Sequence, residues 1–405
     1  MPWRTVLRVS IAPRIGIPLI LWLLLYSGNV TELVTRGYWP SIAAQTTSLL
    51  VWTAPAVAAC GAWEGLRLRR SQVLQQAPAR TFGTVSLTAL APTLVVGTLA
   101  VVLALGLLLP QAEGVPDRIS TAVLALELLV ITAHTAVGYV IGLSLPRLLA
   151  VPTALVGSFV WMAYPASMDV FWVRQLNATN LAECCALDQV PEPRSILAPL
   201  LVSVGLIVAA WLATTSRWGP RITAPVVLAV MVATAAWVVR PLGYSAAESR
   251  SPALRTCSST QPRVCLWPEQ RRAATDVVEW ATDARTRLAA FGVATAPELS
   301  PRASTPSSND VRALVALSAL PQDIPKCAES GQWPGAVAAG PLSVWLTVTA
   351  GADVRIVASR YAPEDVETAT RVREQPDPVQ AAWFQRNAET VTGCDLQPDL
   401  DPAHF

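Results

Sequence analysis

Over residues 1–245 the apolar residues gather into long blocks separated by short polar turns; beyond that they occur in shorter runs. A bilayer core of about 30 Å takes about 20 mostly apolar residues as a helix. Seven blocks meet or approach that length, at residues 15–33, 43–63, 84–109, 119–145, 148–166, 195–215 and 222–240. The first, IGIPLILWLLLYSGNVTELV, has the short apolar heart of a signal peptide. No small-residue cleavage site follows it closely and Arg14 stands at its edge, so it reads as an uncleaved helix. The pattern predicts a mainly α protein. A polytopic helical membrane bundle over 1–245 is followed by a small α+β extracytoplasmic domain over 246–405.

In the second part, PEQRRAATDVVEWATDARTRLAAFG (268–292) predicts a helix. Pro268 suits its first turn, Gly292 the position past its end, and Ala273, Val277, Trp280, Ala284, Leu288 and Phe291 form one apolar stripe. A Pro/Ser-rich loop follows. The runs VRALVALSAL, LSVWLTVTAG and DVRIVASR, rich in Val and Ile with partial alternation, predict strands. APEDVETATRVRE and PVQAAWFQRNAETV predict two closing helices.

Charge sharpens the division. Residues 1–245 hold 15 basic and 9 acidic groups, and the shorter remainder holds 15 and 19. The arginines of the first part flank apolar runs rather than forming a nucleic-acid patch, so they serve as topology signals. With the N-terminus inside, ten arginines (4, 8, 14, 67, 69, 70, 80, 147, 217 and 221) fall on the cytoplasmic side. Five (36, 118, 174, 194 and 240) fall opposite, among seven acidic residues. The positive-inside rule favours that orientation, and seven crossings then put the second domain outside the cell membrane.

The cysteines bear on the same question. Cys60 lies inside a predicted crossing, while Cys184, Cys185, Cys257, Cys265, Cys327 and Cys394 all fall on the predicted outer side. An even number there fits an oxidising compartment. A zinc site would want histidines or close CxxC pairs, and a catalytic thiol would want a base. The two histidines are His134, in a predicted crossing, and His404, near the end. A staple is therefore favoured over metal or free thiol. Cys257–Cys265 is expected for its short span and Cys327–Cys394 for its shared domain. Adjacent Cys184 and Cys185 are not expected to bond to each other, because the ring is strained.

Chemistry of other kinds is sparse. The second domain has no Gly-rich phosphate loop, GxSxG, HExxH or distinctive carboxylate pair, so no enzyme, cofactor or metal is expected. In the membrane part, Glu127 and His134 lie seven residues apart on one helix face. Such groups face a bundle interior. They would serve a proton-coupled carrier, or each would bond a neighbouring helix; the small residues of VGYVIG favour the second.

The turn AWEGLRLRRSQVLQQAPARTFG (62–83) carries Glu64, Arg67, Arg69, Arg70 and Leu74. It reads as positive-inside anchoring on membrane lipid or as a short helix that receives a cytoplasmic partner. The N-terminal MPWRTVLRVSIAPR, a first crossing, and a second crossing running into this turn resemble permease subunits of type-2 ABC transporters, in particular large actinobacterial membrane proteins. The likeness covers residues 1–215 and lies in layout. It implies that the turn couples to an ATPase, and that the protein works in export with a separate ATP-binding subunit and possible further membrane subunits. The chain departs from the family in its seventh crossing and its C-terminal outer domain. The energy must come from another chain, because no G-x-x-x-x-G-K-[ST] occurs. The alternative is a non-transporting, membrane-anchored binding or assembly protein whose outer domain recognises an envelope partner.

Overall fold

A computed structural model describes residues 9–72, 81–215, 220–321, 325–329, 331 and 333–405. It divides into two compact units, Met1–Arg250 and Ser251–Phe405.

The first unit is a helical bundle: α1 (Ala12–Thr31), α2 (Trp39–Thr46), α3 (Leu50–Ser71), α4 (Phe82–Leu108), α5 (Arg118–Ser144), α6 (Arg147–Ala163), the single turn α7 (Phe171–Arg174), α8 (Pro193–Thr215) and α9 (Pro220–Val239). All seven expected blocks are helical. Among the described residues, six helices are long and apolar enough to cross a membrane; α2 and α3 count as one run, Trp39–Ser71. In α9 the described apolar stretch, Thr223–Val239, is shorter.

Local chemistry sets the ends. The Asp117 carboxylate accepts from the Ser120 N–H and starts α5, and Thr81 does the same for α4. At 27 residues α5 is about 40 Å long, close to a bilayer with its interfacial layers. The outward faces are apolar: Leu25 is 79% exposed, Trp237 75% and Leu148 85%.

Residues 32–38, 109–117, 164–192 and 240–250 share one end of the bundle. There the Gly37 N–H donates to Gln111 O at 2.7 Å, and the Thr35 and Tyr38 hydroxyls donate to Cys185 O and Gln189 O at 3.1 and 2.6 Å. Strand β1 (Gln189–Pro191) pairs antiparallel with β2 (Ala247–Ser249) in the register Val190↔Glu248. That ladder is why residues 246–250 belong with the bundle.

In the second unit, a three-stranded sheet runs β3 (Thr256–Cys257), β4 (Arg263–Leu266), β5 (Glu298–Leu299). The β3–β4 pair is antiparallel and puts Cys257 opposite Cys265; β4–β5 is parallel. Around the sheet pack α10 (Ala274–Ala289), α11 (Ser308–Leu317), α12 (Ala336–Thr349), α13 (Val354–Ala358), α14 (Pro363–Arg373) and α15 (Asp377–Thr392).

The expected stripe on α10 is its core face: Val277, Ala281, Ala284 and Leu288 are buried, and Gly292 follows the helix at φ +72°. The three expected strands are instead helices α11, α12 and α13. A Ser307/Asp310 capping box starts α11, and the Asp353 carboxylate caps α13. Helix α12 is buried on nearly every side, so no polar face marks its period.

The second unit's core centres on Trp345. Its ring stacks on Phe384 at 5.3 Å and meets Phe291 and Trp383 edge-on, and its Nε1–H donates to Gln380 at 3.0 Å.

Candidate functional site

Helix α3 carries the arginines singled out in the sequence. It ends at Ser71, and Gln72 turns left-handed at φ 51°. Arg69 and Arg70 in the last turn oppose the negative helix end. Arg69 Nη1 donates to the carbonyls of Ser144 and Leu145 at 3.3 and 3.1 Å, tying the ends of α3 and α5 together. Arg70 is exposed.

Glu64 does not join a surface element. Its side chain is fully buried, its Oε1 accepts from the Ser10 hydroxyl at 2.8 Å, and its Oε2 pairs with Arg67 one turn on. A carboxylate at that depth needs a cation and a donor, and both come from within the bundle. Leu74, the fifth residue of the expected docking element, lies outside the described residues.

Behind this end, α3 and α5 meet backbone to backbone. A Cβ on Gly61 or Gly65 would run into the Thr135 or Tyr139 carbonyl, and one on Gly138 or Gly142 into that of Ala58 or Ala62. Small residues four apart on both helices allow this approach, which suits weak Cα–H···O contacts. The two form one stiff pair with the arginines at its tip.

Glu127 and His134, on the same helix, do not meet. Glu127 accepts from the Thr46 hydroxyl of α2, and His134 Nδ1 lies 2.6 Å from the Ser158 Oγ of α6. Each is buried, and each links α5 to a different neighbour.

A groove of about 210 Å³ lies between α4, α5 and α8, towards the end that carries the arginines. Its walls include Leu87, Leu90, Ile207 and Trp211, and on its floor the Ser86 and Tyr139 hydroxyls bond at 2.8 Å. Sequence reasoning missed Ser10, Thr46, Ser86 and Ser158. They are ordinary hydroxyls whose partners are 24 to 81 positions away.

Three cysteine pairs are bonded and Cys60 is a buried free thiol. Cys257–Cys265 and Cys327–Cys394 pair as span and domain predicted. Cys184 and Cys185 depart from expectation: they bond to each other, and the peptide bond between them is cis. Among the described residues no cluster of three or more His, Cys, Asp or Glu could hold a metal ion.

Residues 264–394 match the model of a family described as a domain of unknown function, DUF7224. That stretch runs from β4 to the cysteine after α15 and takes in nearly all of the second unit. No curated protein and no solved structure matches the chain.

Proposed function

We propose that the protein is an integral membrane subunit of ABC-permease type, worked from the cytoplasm by a separate ATP-binding chain in the sense of export, with its second unit outside. The observation that carries this reading is the α3–α5 pair. Two helices locked along their backbones move as one, and Arg69 and Arg70 at the tip give a soluble motor a basic handle.

The membrane setting is supported by six long apolar helices and by bare leucine and tryptophan on the bundle's outside, which water would not tolerate in such number. The orientation is supported by the charges. Arg67, Arg69, Arg70 and Arg147 sit at one end of the bundle, and the chain leaves for the second unit at the other, beside the Cys184–Cys185 pair.

The test is purification of the full chain from its native host in mild detergent, with mass spectrometry and an ATP-hydrolysis assay. The expected result is an ATP-binding chain that co-purifies and is lost when Arg69→Glu and Arg70→Glu are combined without loss of insertion. A correctly inserted protein that brings no such chain overturns the reading in favour of a membrane-anchored binding or assembly protein. Alkaline phosphatase fused after Phe405 checks the orientation, and an inactive fusion beside an active cytoplasmic reporter reverses it.

A further inference from the structure

We propose that the groove between α4, α5 and α8 is a lipid site. It holds one acyl chain of an ester-linked glycerophospholipid, whose ester carbonyl accepts a hydrogen bond from the Ser86–Tyr139 hydroxyl pair. The inference rests on the membrane placement above and is independent of any ATP-binding partner.

The floor of the groove is the first argument. Ser86 is 8% and Tyr139 4% exposed, and their oxygens are 2.8 Å apart. Whichever hydroxyl donates, the other keeps a proton that has no acceptor among the described residues. In a hydrocarbon setting an unused donor is costly, so the pair is built to receive an acceptor from outside the chain. The neighbouring threonines do not compete for it: Thr132, Thr135 and Thr214 turn their hydroxyls to carbonyls of their own helices.

Depth is the second argument. Helix α5 matches a bilayer with both interfacial layers, so its end at Ser144 marks the water boundary. Tyr139 lies five residues back, about 7.5 Å inward at 1.5 Å per residue. The interfacial layer itself is about 5–8 Å thick, half the difference between the full bilayer and its hydrocarbon core. The hydroxyl pair therefore sits where headgroup gives way to chain, the level of the glycerol esters.

Shape is the third. The walls are apolar, and the rim residues Leu87 and Trp211 are 65% and 61% exposed on the bundle's outer face, where acyl chains are the surrounding solvent. Gly83 at the mouth has open space where its Cβ would stand, so no described residue fills that corner.

The test uses the full chain in nanodiscs of ester-linked phosphatidylcholine containing a trace of the same lipid with a diazirine on its acyl chain, irradiated and mapped by mass spectrometry. Leu25, on the open face of α1, reports annular lipid. Groove peptides should label above the Leu25 peptide by on the order of tenfold, the factor that about 1.4 kcal/mol of preference gives. Gly83→Leu, whose Cβ meets no described atom, and Ala136→Phe should each abolish that excess. Ser86→Ala with Tyr139→Phe should lower it about three- to tenfold, as loss of one hydrogen bond does. An ether-linked analogue should label the unaltered protein at that lowered level. Groove labelling no higher than at Leu25, or unchanged in both filling variants, overturns the site. Equal labelling by ester and ether lipids overturns the carbonyl contact. Absence of label at Leu25 as well would sink the membrane reading beneath it.

Discussion

Gly138 of α5 lies so close to Ala58 of α3 that a Cβ on the glycine would take the place of the Ala58 carbonyl. The relation is mutual along the pair, because Gly61 and Gly65 stand in the same way against Thr135 and Tyr139. Neither side can yield, since the obstacle at each point is backbone. Gly138→Val should therefore destabilise the bundle by about 3 kcal/mol or more, at the upper end of overpacking costs. Gly106→Ala and Gly157→Ala, where a Cβ meets nothing, should stay within about 1 kcal/mol of the parent. Thermal unfolding in detergent checks the contrast, and equal losses at all three positions would refute it.

The His134–Ser158 contact predicts an asymmetric cost. Ser158→Ala leaves a buried ring nitrogen without its partner and should cost about 1–3 kcal/mol. His134→Leu combined with Ser158→Ala removes both polar groups and should recover part of that loss. A double-mutant cycle in detergent gives the coupling. Additive effects would mean that the two side chains do not depend on each other.

The two staples of the second unit should differ in weight. Cys327–Cys394 closes a separation of 67 residues and Cys257–Cys265 one of 8. Loop-closure entropy assigns them about 4 and about 2.5 kcal/mol. Limited proteolysis of the full chain with each pair changed to serine should show the Cys327/Cys394 variant opening first. The reverse order would point to native-state contacts rather than chain entropy.

His404 and Asp399 predict a pH window for the segment 399–405. The hydrogen bond to Asp399, and then its charge, raise the His404 pKa above its ordinary 6.5, while the same bond lowers Asp399 below 3.8. The histidine's contribution is complete below its unfolded value and is lost as pH rises through the raised one. The carboxylate's contribution is present above its unfolded value and is lost as pH falls through the lowered one. Hydrogen-exchange protection in this segment, taken relative to the intrinsic rate at each pH, should be greatest between those limits and fall at alkaline pH. His404→Ala should remove the alkaline change, and a persistent change in that variant would place its origin elsewhere.

How much of this could be read in the sequence follows from which residues face a boundary. The bundle helices were legible because each is a long apolar run bounded by short polar turns, and α10 because Val277, Ala281, Ala284 and Leu288 alternate with charged residues at helical spacing. Helix α12 was not, because Leu342, Val344, Trp345 and Leu346 are all buried and leave no polar face to betray the turn. Valines and a tryptophan in an apolar run then look like a strand. The Ser307/Asp310 box before α11 was the available corrective. Of the sites, the arginine cluster and the Glu127/His134 pair stood out as charge in apolar surroundings. The Ser86–Tyr139 floor did not, since two common hydroxyls 53 positions apart carry no local signature.

The β1–β2 ladder has a mechanical consequence. Arg250 closes the bundle unit, donating to the Leu187 carbonyl and lying over the Tyr38 ring, while Tyr38 itself bonds Gln189. A pull on the chain at residue 251 does not reach α9 directly. It loads three paired residues on each strand first, and through them the segment between α6 and α8. Until that short ladder gives way, tension on the second unit is borne by the loop holding Cys184 and Cys185, so the point of attachment in sequence and the point of attachment in force are different places.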